Sequence, residues 1–150
     1  MPQFFQARRG FSLMELIVVI GIIAVLTVIV VANVNPRKNL ADARNAQRES
    51  DVLTLLNAIH QYLVDKGDLP STIPLVTMTE LCKSGNAGLP CSNGVRLEVL
   101  SGTYLVAVPV DPLAPSTGTG TRYWIAKDTR GRVTVIAAYA EENKSIYMTR

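Results

Sequence analysis

The sequence predicts an α+β protein in which a long N-terminal α-helix packs on a small antiparallel β-sheet. Residues 11–66 show helical patterning throughout, first as a continuous apolar run and then as an amphipathic repeat. The last third of the chain contains short runs rich in Val, Ile, Tyr and Trp, separated by turn residues. Three or four strands make a thin core on their own, so the helix is expected to supply much of it.

Residues 11–32 form an apolar segment with a single charged residue, Glu15. As a helix, this segment would be roughly 33 Å long, which is enough to cross the hydrocarbon core of a bilayer. We therefore predict a transmembrane helix. Arg8 and Arg9 precede it and favour a cytoplasmic N-terminus, although basic residues also follow the segment and weaken that bias.

Glu15 is the unusual residue of this segment. An ionisable group at the centre of a transmembrane helix costs on the order of 2.5–3.5 kcal/mol by insertion scales, and somewhat less near an end. Such a group usually has a partner, so the sequence raises the question of what neutralises Glu15. A cleaved secretory signal has an apolar run of about 7–15 residues, shorter than this one. A plain membrane anchor explains the length of the run but not the carboxylate.

The second half of the long helix is predicted over residues 37–66. Pro36 should kink or weaken the helix before it, because proline removes a hydrogen bond and clashes with the preceding turn. Apolar residues then recur at three- and four-residue spacing. The predicted stripe consists of Leu40, Ala43, Ala46, Val52, Leu55, Leu56, Ile59 and Leu63. Charged and amide residues fill the positions between, among them Asn45, Arg48 and Asp51, and form the expected polar face.

Residues 67–150 are predicted to form a globular α+β head, and Gly67 is well placed to end the helix. Up to residue 103 the sequence indicates mostly loops, with a short helix near residues 77–82 and a strand near residues 96–100. The C-terminal third is predicted as β. Its strands are expected at residues 104–108, 123–127, 132–139 and 145–148, with a hairpin turn at residues 128–131. The loop from Pro109 to Thr121 is expected to be exposed and mobile.

Composition and charge exclude several classes of function. The formal net charge is +3, and loss of residues 1–10 would remove Arg8 and Arg9 and leave the side chains near neutrality. No basic run with interleaved aromatic residues occurs, so contact with nucleic acid is not expected. The sequence also lacks a nucleophile elbow and a phosphate-binding glycine loop, so we predict no catalytic residue and no enzyme.

The junction Arg9-Gly10-Phe11-Ser12-Leu13-Met14-Glu15-Leu16, with its apolar continuation, resembles the cleavage site of type IV pilins and of type II secretion pseudopilins. The resemblance implies a pilin-like fold and a leader peptide at residues 1–10. A membrane-embedded prepilin peptidase would cut between Gly10 and Phe11 and then N-methylate Phe11. Glycine suits the cut because it lets an extended backbone enter a protease cleft without a side chain.

Two further stretches are similar to this family. The end of the predicted long helix resembles that of major pseudopilins and of many pilins, through Leu55-Leu56-Asn57-Ala58-Ile59, Tyr62, Asp65, Gly67 and Pro70. The start of the pseudopilin sheet is matched more loosely, by Tyr104-Leu105, Pro109, Asp111-Pro112 and Tyr123. The resemblance thus covers residues 8–70 well and residues 104–125 loosely.

The resemblance gives Glu15 a role in assembly. Cleavage would create an amine on Phe11, and in the family the equivalent glutamate attracts the N-terminal amine of a neighbouring subunit. An isolated carboxylate and an isolated ammonium are each costly in hydrocarbon, and pairing removes much of that cost. The alternative is a Glu15 that is protonated near the lipid headgroups. Gly21 is either a flexible or close-packing point, as in the family, or a tolerated transmembrane glycine.

Cys82 and Cys91 are the only two cysteines. A disulfide between them would suit an oxidising space and would contribute about 2–3 kcal/mol, whereas two free thiols are the alternative. A zinc site is not expected, because two thiolates and His60, interpreted as a solvated surface residue, fall short of four ligands.

No cofactor is predicted. Major pseudopilins often bind calcium in an acidic C-terminal loop, but the carboxylates available here are not part of a dense, glycine-rich acidic loop. They are Asp111, Asp128, Glu141 and Glu142. Calcium is therefore doubtful.

Together these features predict a structural subunit of a type IV pilus or related filament. It would be a single-pass protein of the cytoplasmic membrane with its C-terminal head outside, and it would polymerise through its apolar helix at the cell surface or in the periplasm. Its expected partners are prepilin peptidase, identical or related subunits, an inner-membrane assembly platform and membrane lipid. One alternative is a pseudopilin of a type II secretion system. Another is a membrane-anchored binding module that never polymerises.

Overall fold

The computed structural model describes residues 10–33, 35–83, 91 and 94–150. Of the predicted leader, only Gly10 is among them. The chain divides into two compact units, Met1–Arg37 and Lys38–Arg150. The helices and strands are α1 (Leu13–Asn33), α2 (Pro36–Lys66), β1 (Thr79–Cys82), β2 (Gly120–Lys127), β3 (Val133–Ala137) and β4 (Ile146–Thr149), with a 3-10 turn at Glu98–Leu100.

Helix α1 is apolar on every side. Residues Leu13–Val31 have a mean hydropathy of 3.0, and by length and composition they could cross a membrane. None of this segment is buried within the structure. A helix that is apolar all round needs lipid or other apolar helices around it.

Helix α2 begins and ends at residues suited to those positions. Pro36 is its first residue, where the missing N–H of proline costs no helical hydrogen bond. At the other end Gly67 has a φ of 79°, and its N–H donates to the Leu63 carbonyl over 2.8 Å. This left-handed residue satisfies one of the last carbonyls of the helix, which confirms Gly67 as the stop.

The predicted apolar stripe is correct in the C-terminal half of α2 and wrong in the N-terminal half. Leu40 is 58% exposed, and Ala43 and Ala46 are also exposed. The buried residues of α2 are Ala41, Asn45, Arg48, Asp51, Val52, Leu55, Leu56, Ala58 and Ile59. The buried face therefore carries three polar residues that were assigned to the exposed face, because each finds a hydrogen-bonding partner elsewhere in the head.

The four strands form one antiparallel sheet in the order β1-β2-β3-β4. The turn between β2 and β3 is a hairpin, in which the Asp128 N–H donates to the Arg132 carbonyl over 2.8 Å. One face of the sheet joins α2 in a single hydrophobic core. Its members include Val52, Leu55 and Ile59 from the helix and Tyr123, Ile125, Val133 and Val135 from the sheet. The α+β architecture of a long helix on a small antiparallel sheet is confirmed.

Three short elements differ from the prediction. Residues 77–82 contain strand β1 and no helix, because β1 pairs with β2. Residues 96–100 contain the 3-10 turn instead of a strand. Residues 104–108 form turns: Gly102, with a φ of 83°, donates its N–H to the Leu105 carbonyl, and the chain folds back on itself there.

The segment from Pro109 to Thr121 was expected to be exposed, yet two of its residues are anchored in the interior. Asp111 is 2% exposed and Thr121 is fully buried. The Thr121 hydroxyl donates to the Leu81 carbonyl over 2.9 Å, and the Asp111 N–H donates to the Thr121 carbonyl over 3.0 Å. These bonds attach both ends of the loop to the sheet.

Candidate processing and assembly site

The predicted cleavage site lies in exposed chain just before α1. Gly10, Phe11 and Ser12 are not helical, and Phe11 is 88% exposed. Among the described residues other than its chain neighbours, none places an atom within 4 Å of the position that a Cβ on Gly10 would occupy. A peptidase would therefore meet a backbone without a regular hydrogen-bonding pattern, which is the kind of segment that proteases accept.

Glu15 has a partner within its own chain, which the sequence analysis missed. The Ser12 N–H donates to Glu15 Oε2 over 3.0 Å, and the Glu15 N–H donates to Ser12 Oγ over 3.2 Å. This reciprocal pair is a capping box, and its signal, Ser followed three residues later by Glu before an apolar run, was visible in the sequence. The positive end of the helix dipole also favours a carboxylate at this position.

Gly21 lies in the middle of α1 with nothing within 4 Å of its missing Cβ. Its interpretation as a flexible or close-packing point, or as a tolerated transmembrane glycine, stays a prediction. The assembly role of Glu15 also stays a prediction.

A buried ion-pair network fixes the head, and the sequence analysis missed it too. Arg48 is fully buried; its Nε lies 2.6 Å from Asp111 Oδ2 and its Nη1 lies 2.9 Å from Glu141 Oε2. Arg44 lies 2.6 Å from the other oxygen of Glu141. The amide of Asn45 donates to the Glu141 carbonyl and its oxygen accepts the Glu141 N–H. Two distant segments are thereby bound to α2.

The network shifts the ionisation of its members. The hydrogen bond from Arg44, followed by that from Arg48, lowers the pKa of Glu141 to about 2. Burial lowers the pKa of Arg48, but its hydrogen bonds to Asp111 and Glu141 outweigh this and raise it overall. Glu141 and Arg48 are therefore both charged at neutral pH, so the buried guanidinium has a compensating carboxylate.

A second polar contact joins α2 to the sheet. The hydroxyl of the fully buried Tyr123 donates to Asp51 Oδ2 over 2.7 Å. Burial, and then this hydrogen bond, raise the pKa of Tyr123. The sequence signal for both contacts was the spacing of Ala41, Asn45, Arg48 and Asp51, which continues the apolar stripe N-terminally at helical intervals.

Cys82 and Cys91 form a disulfide, with 6.0 Å between their Cα atoms. Cys82 ends β1, and its N–H donates to the Val95 carbonyl over 2.9 Å. A Cβ on Gly94 would collide with both sulfur atoms, so only glycine fits beside the bridge. Residues 84–90, which the bridge encloses, and residues 92–93, which follow it, lie outside the described residues.

Three of the four carboxylates considered for calcium are engaged by arginines. Asp111 and Glu141 bind Arg48, and Asp128 accepts a hydrogen bond from Arg132 Nε over 2.7 Å. Within the part of the chain that the structure describes, no group of three or more His, Cys, Asp or Glu residues is placed to hold a metal ion. His60 is half-buried rather than solvated, because it lies beside the packed face of α2, and its Nε2 has no hydrogen-bonding partner in the described part of the chain.

Comparison with known proteins bears on the N-terminal half of the chain. Residues 6–31 match the family model of the prokaryotic N-terminal methylation motif. The type II secretion system core protein G of Escherichia coli K12 is 43% identical over 65 residues, which is 43% of each chain. The core protein G of Aeromonas hydrophila is 41% identical over 69 residues, or 45% of this chain and 47% of the relative.

The core protein G of Pectobacterium carotovorum is 42% identical over 65 residues, which is 43% of this chain and 40% of the relative. The chain thus spans less than half the length of the curated relatives that it matches. No solved structure matches it. The N-terminal part of this chain is therefore similar to the methylation motif and to type II secretion core proteins G, and the long helix on a small antiparallel sheet is consistent with a pilin-like fold.

Proposed function

We propose that this protein is a structural subunit of a pilus-like filament, made as a prepilin and polymerised through α1. The observation that carries the proposal is the junction itself: an exposed Gly10–Phe11 bond, a capped carboxylate at Glu15 and an apolar helix follow one another. Prepilin peptidase would cut after Gly10 and methylate Phe11. The family is structural, which supports a subunit without catalytic activity.

The expected topology follows from the apolar helix and its flanking charges. Arg8 and Arg9 would stay in the cytoplasm, α1 would lie in the inner membrane, and the head would face the outside. The disulfide is consistent with an oxidising space around the head. During assembly α1 would leave lipid for the apolar helices of identical or related subunits, with help from an inner-membrane assembly platform.

Whether the subunit is a pilin or a pseudopilin is a separate question, and the relatives favour a pseudopilin of type II secretion. Those that the chain matches are named as core proteins of that system. A pseudopilin would form a short periplasmic filament, whereas a pilin would form a surface fibre. Deleting the gene from its own strain separates the two. Loss of exported enzymes from the medium with no change in surface fibres would indicate a pseudopilin, and the reverse result would indicate a pilin.

Mass spectrometry of the protein from its own membranes tests the processing step. The expected mass is that of residues 11–150 with one added methyl group on Phe11. An intact residue 1 in cells with active prepilin peptidase would contradict the proposal.

The variant Glu15→Ala tests assembly. An unpaired amine left in an apolar environment costs several kcal/mol, so sheared filaments should fall by more than about tenfold while the subunit still accumulates in the membrane. Glu49→Ala, which removes an exposed carboxylate from α2, is the matched control and should assemble normally. Normal filaments from Glu15→Ala would favour an anchored binding module instead.

A further inference from the structure

Ser12 and Glu15 are bonded to each other twice at the start of α1. Because α1 begins at Leu13, Ser12 is the N-cap and Glu15 is the third helical residue. The Ser12 N–H donates to the Glu15 carboxylate over 3.0 Å, and the Glu15 N–H donates to the Ser12 hydroxyl over 3.2 Å. Each residue therefore fixes the orientation of the other.

The cap matters more here than on the surface of a soluble protein. The first N–H groups of any helix have no partner inside the helix. The side chains of α1 are apolar and exposed, so in the proposed topology the N-terminal turn would lie at or within a lipid boundary or a bundle of helices. An unsatisfied N–H group in such surroundings is far more costly than one in water.

The Glu15 carboxylate lies towards the N-terminal end of α1. It binds the N–H of Ser12, and Ser12 directly follows Phe11, whose nitrogen would become the new terminal amine. We propose that Ser12 is a positioning residue for Glu15, and that its hydroxyl holds the first turn so that the carboxylate stays at the N-terminal end of α1, ready for an amine. This inference rests on the proposed assembly role of Glu15.

Substitutions of Ser12 test this inference. They are made in the full chain, which is expressed in cells that carry the assembly machinery. Ser12→Ala removes the side-chain acceptor, whereas Ser12→Thr keeps it. Thr27→Ala is the matched control, because it removes another α1 hydroxyl, which donates to the Ile23 carbonyl over 2.8 Å away from the N-terminus. Leader removal is read by intact mass, and assembly is read as the fraction of membrane subunit recovered in sheared filaments.

Serine and threonine are both good N-caps and alanine is a poor one. We expect Ser12→Ala to be cleaved like the wild type, but its assembled fraction should fall about fivefold, the effect of a typical lost cap. Ser12→Thr should restore assembly to within about twofold of the wild type. Thr27→Ala should assemble like the wild type.

The possible contrary results are distinguishable. Normal assembly of Ser12→Ala, with assembly still abolished by Glu15→Ala, overturns the role of Ser12 and leaves the proposed function intact. Ser12→Thr as defective as Ser12→Ala, or Thr27→Ala equally defective, also overturns it, because the capping hydroxyl is then not what matters. Failure of Ser12→Ala to be cleaved assigns Ser12 to recognition by the peptidase instead. If Glu15→Ala assembles normally, both the proposed function and this inference are wrong.

Discussion

At the scale of single residues, Arg48 determines how the head is held together. Its guanidinium is fully buried and bound by carboxylates from two separate segments, around Asp111 and Glu141. A buried ion pair adds little over a well-packed apolar pair, but loss of one partner leaves an uncompensated charge. The network should therefore be sensitive to the removal of either acid.

Replacing Asp111 by Ala should destabilise the protein by about 3–5 kcal/mol, because the buried guanidinium loses the carboxylate that contacts two of its nitrogens. Thermal unfolding of the protein in detergent, followed by circular dichroism, measures this. Glu98→Ala removes the exposed partner of Arg96 and should change stability by less than about 1 kcal/mol. Equal effects of the two substitutions would show that Arg48 does not depend on Asp111.

Acid should weaken the head through Glu141. Its pKa is lowered from 4.5 to about 2 in the folded protein. Between these two pH values the folded state therefore binds fewer protons than the unfolded chain. The stabilisation is present above about pH 4.5 and is lost as the pH falls towards 2. The melting temperature should fall over this range, and less steeply in Glu141→Gln. Some dependence should remain, because the pKa of Asp128 is also lowered, by Arg132. An unchanged slope in Glu141→Gln would contradict this assignment.

At the scale of elements, the reliability of the sequence prediction depended on what each element packs against. The hairpin of β2 and β3 and the C-terminal half of α2 were predictable, because apolar side chains alone define their buried faces. The N-terminal half of α2 was not, because Asn45 and Arg48 bury polar groups that bind partners 63 to 96 positions away. The strand predicted at residues 104–108 failed for another reason: a turn at Gly102 overrides the β propensity of the residues there.

The disulfide joins the end of β1 to a loop, and its removal should lower the stability of the protein. Reduction should lower the free energy of unfolding by about 2–3 kcal/mol, because the unfolded chain regains the freedom that the bridge removes. The melting temperature with and without dithiothreitol measures this. The double variant Cys82→Ser and Cys91→Ser should melt like the reduced protein and should not respond to the reductant. A response of the double variant would show that the reductant acts elsewhere.

At the scale of the whole molecule, two compact units are visible and they need different surroundings. The unit up to Arg37 holds the exposed apolar helix α1, and the unit from Lys38 holds the hydrophobic core and the ion-pair network. The methylation motif at residues 6–31 was predictable because its residues are adjacent in sequence, whereas cleavage after Gly10 and methylation of Phe11 stay predictions. The capping box was equally local but was overlooked, because Glu15 was considered only as a charge needing an external partner.

This division predicts that residues 38–150 fold without α1. The fragment should be soluble without detergent and should retain the disulfide-dependent melting of the full protein, since the core lies within it. The full chain should need detergent, because the side chains of α1 find no cover within the structure. An unfolded or aggregated fragment would show that α1 contributes to the stability of the head.

The contact of Glu141 with α2 also has a consequence for the order of synthesis. Arg48 and Glu141 are 93 positions apart, so Glu141 is synthesised well after the arginine that it pairs with. Until then the guanidinium has only part of its final set of acceptors. A chain released early, before Glu141 is added, would carry an incompletely paired charge in its core. Such a truncated chain should therefore unfold more readily than the finished head, because its buried arginine lacks one of its carboxylates.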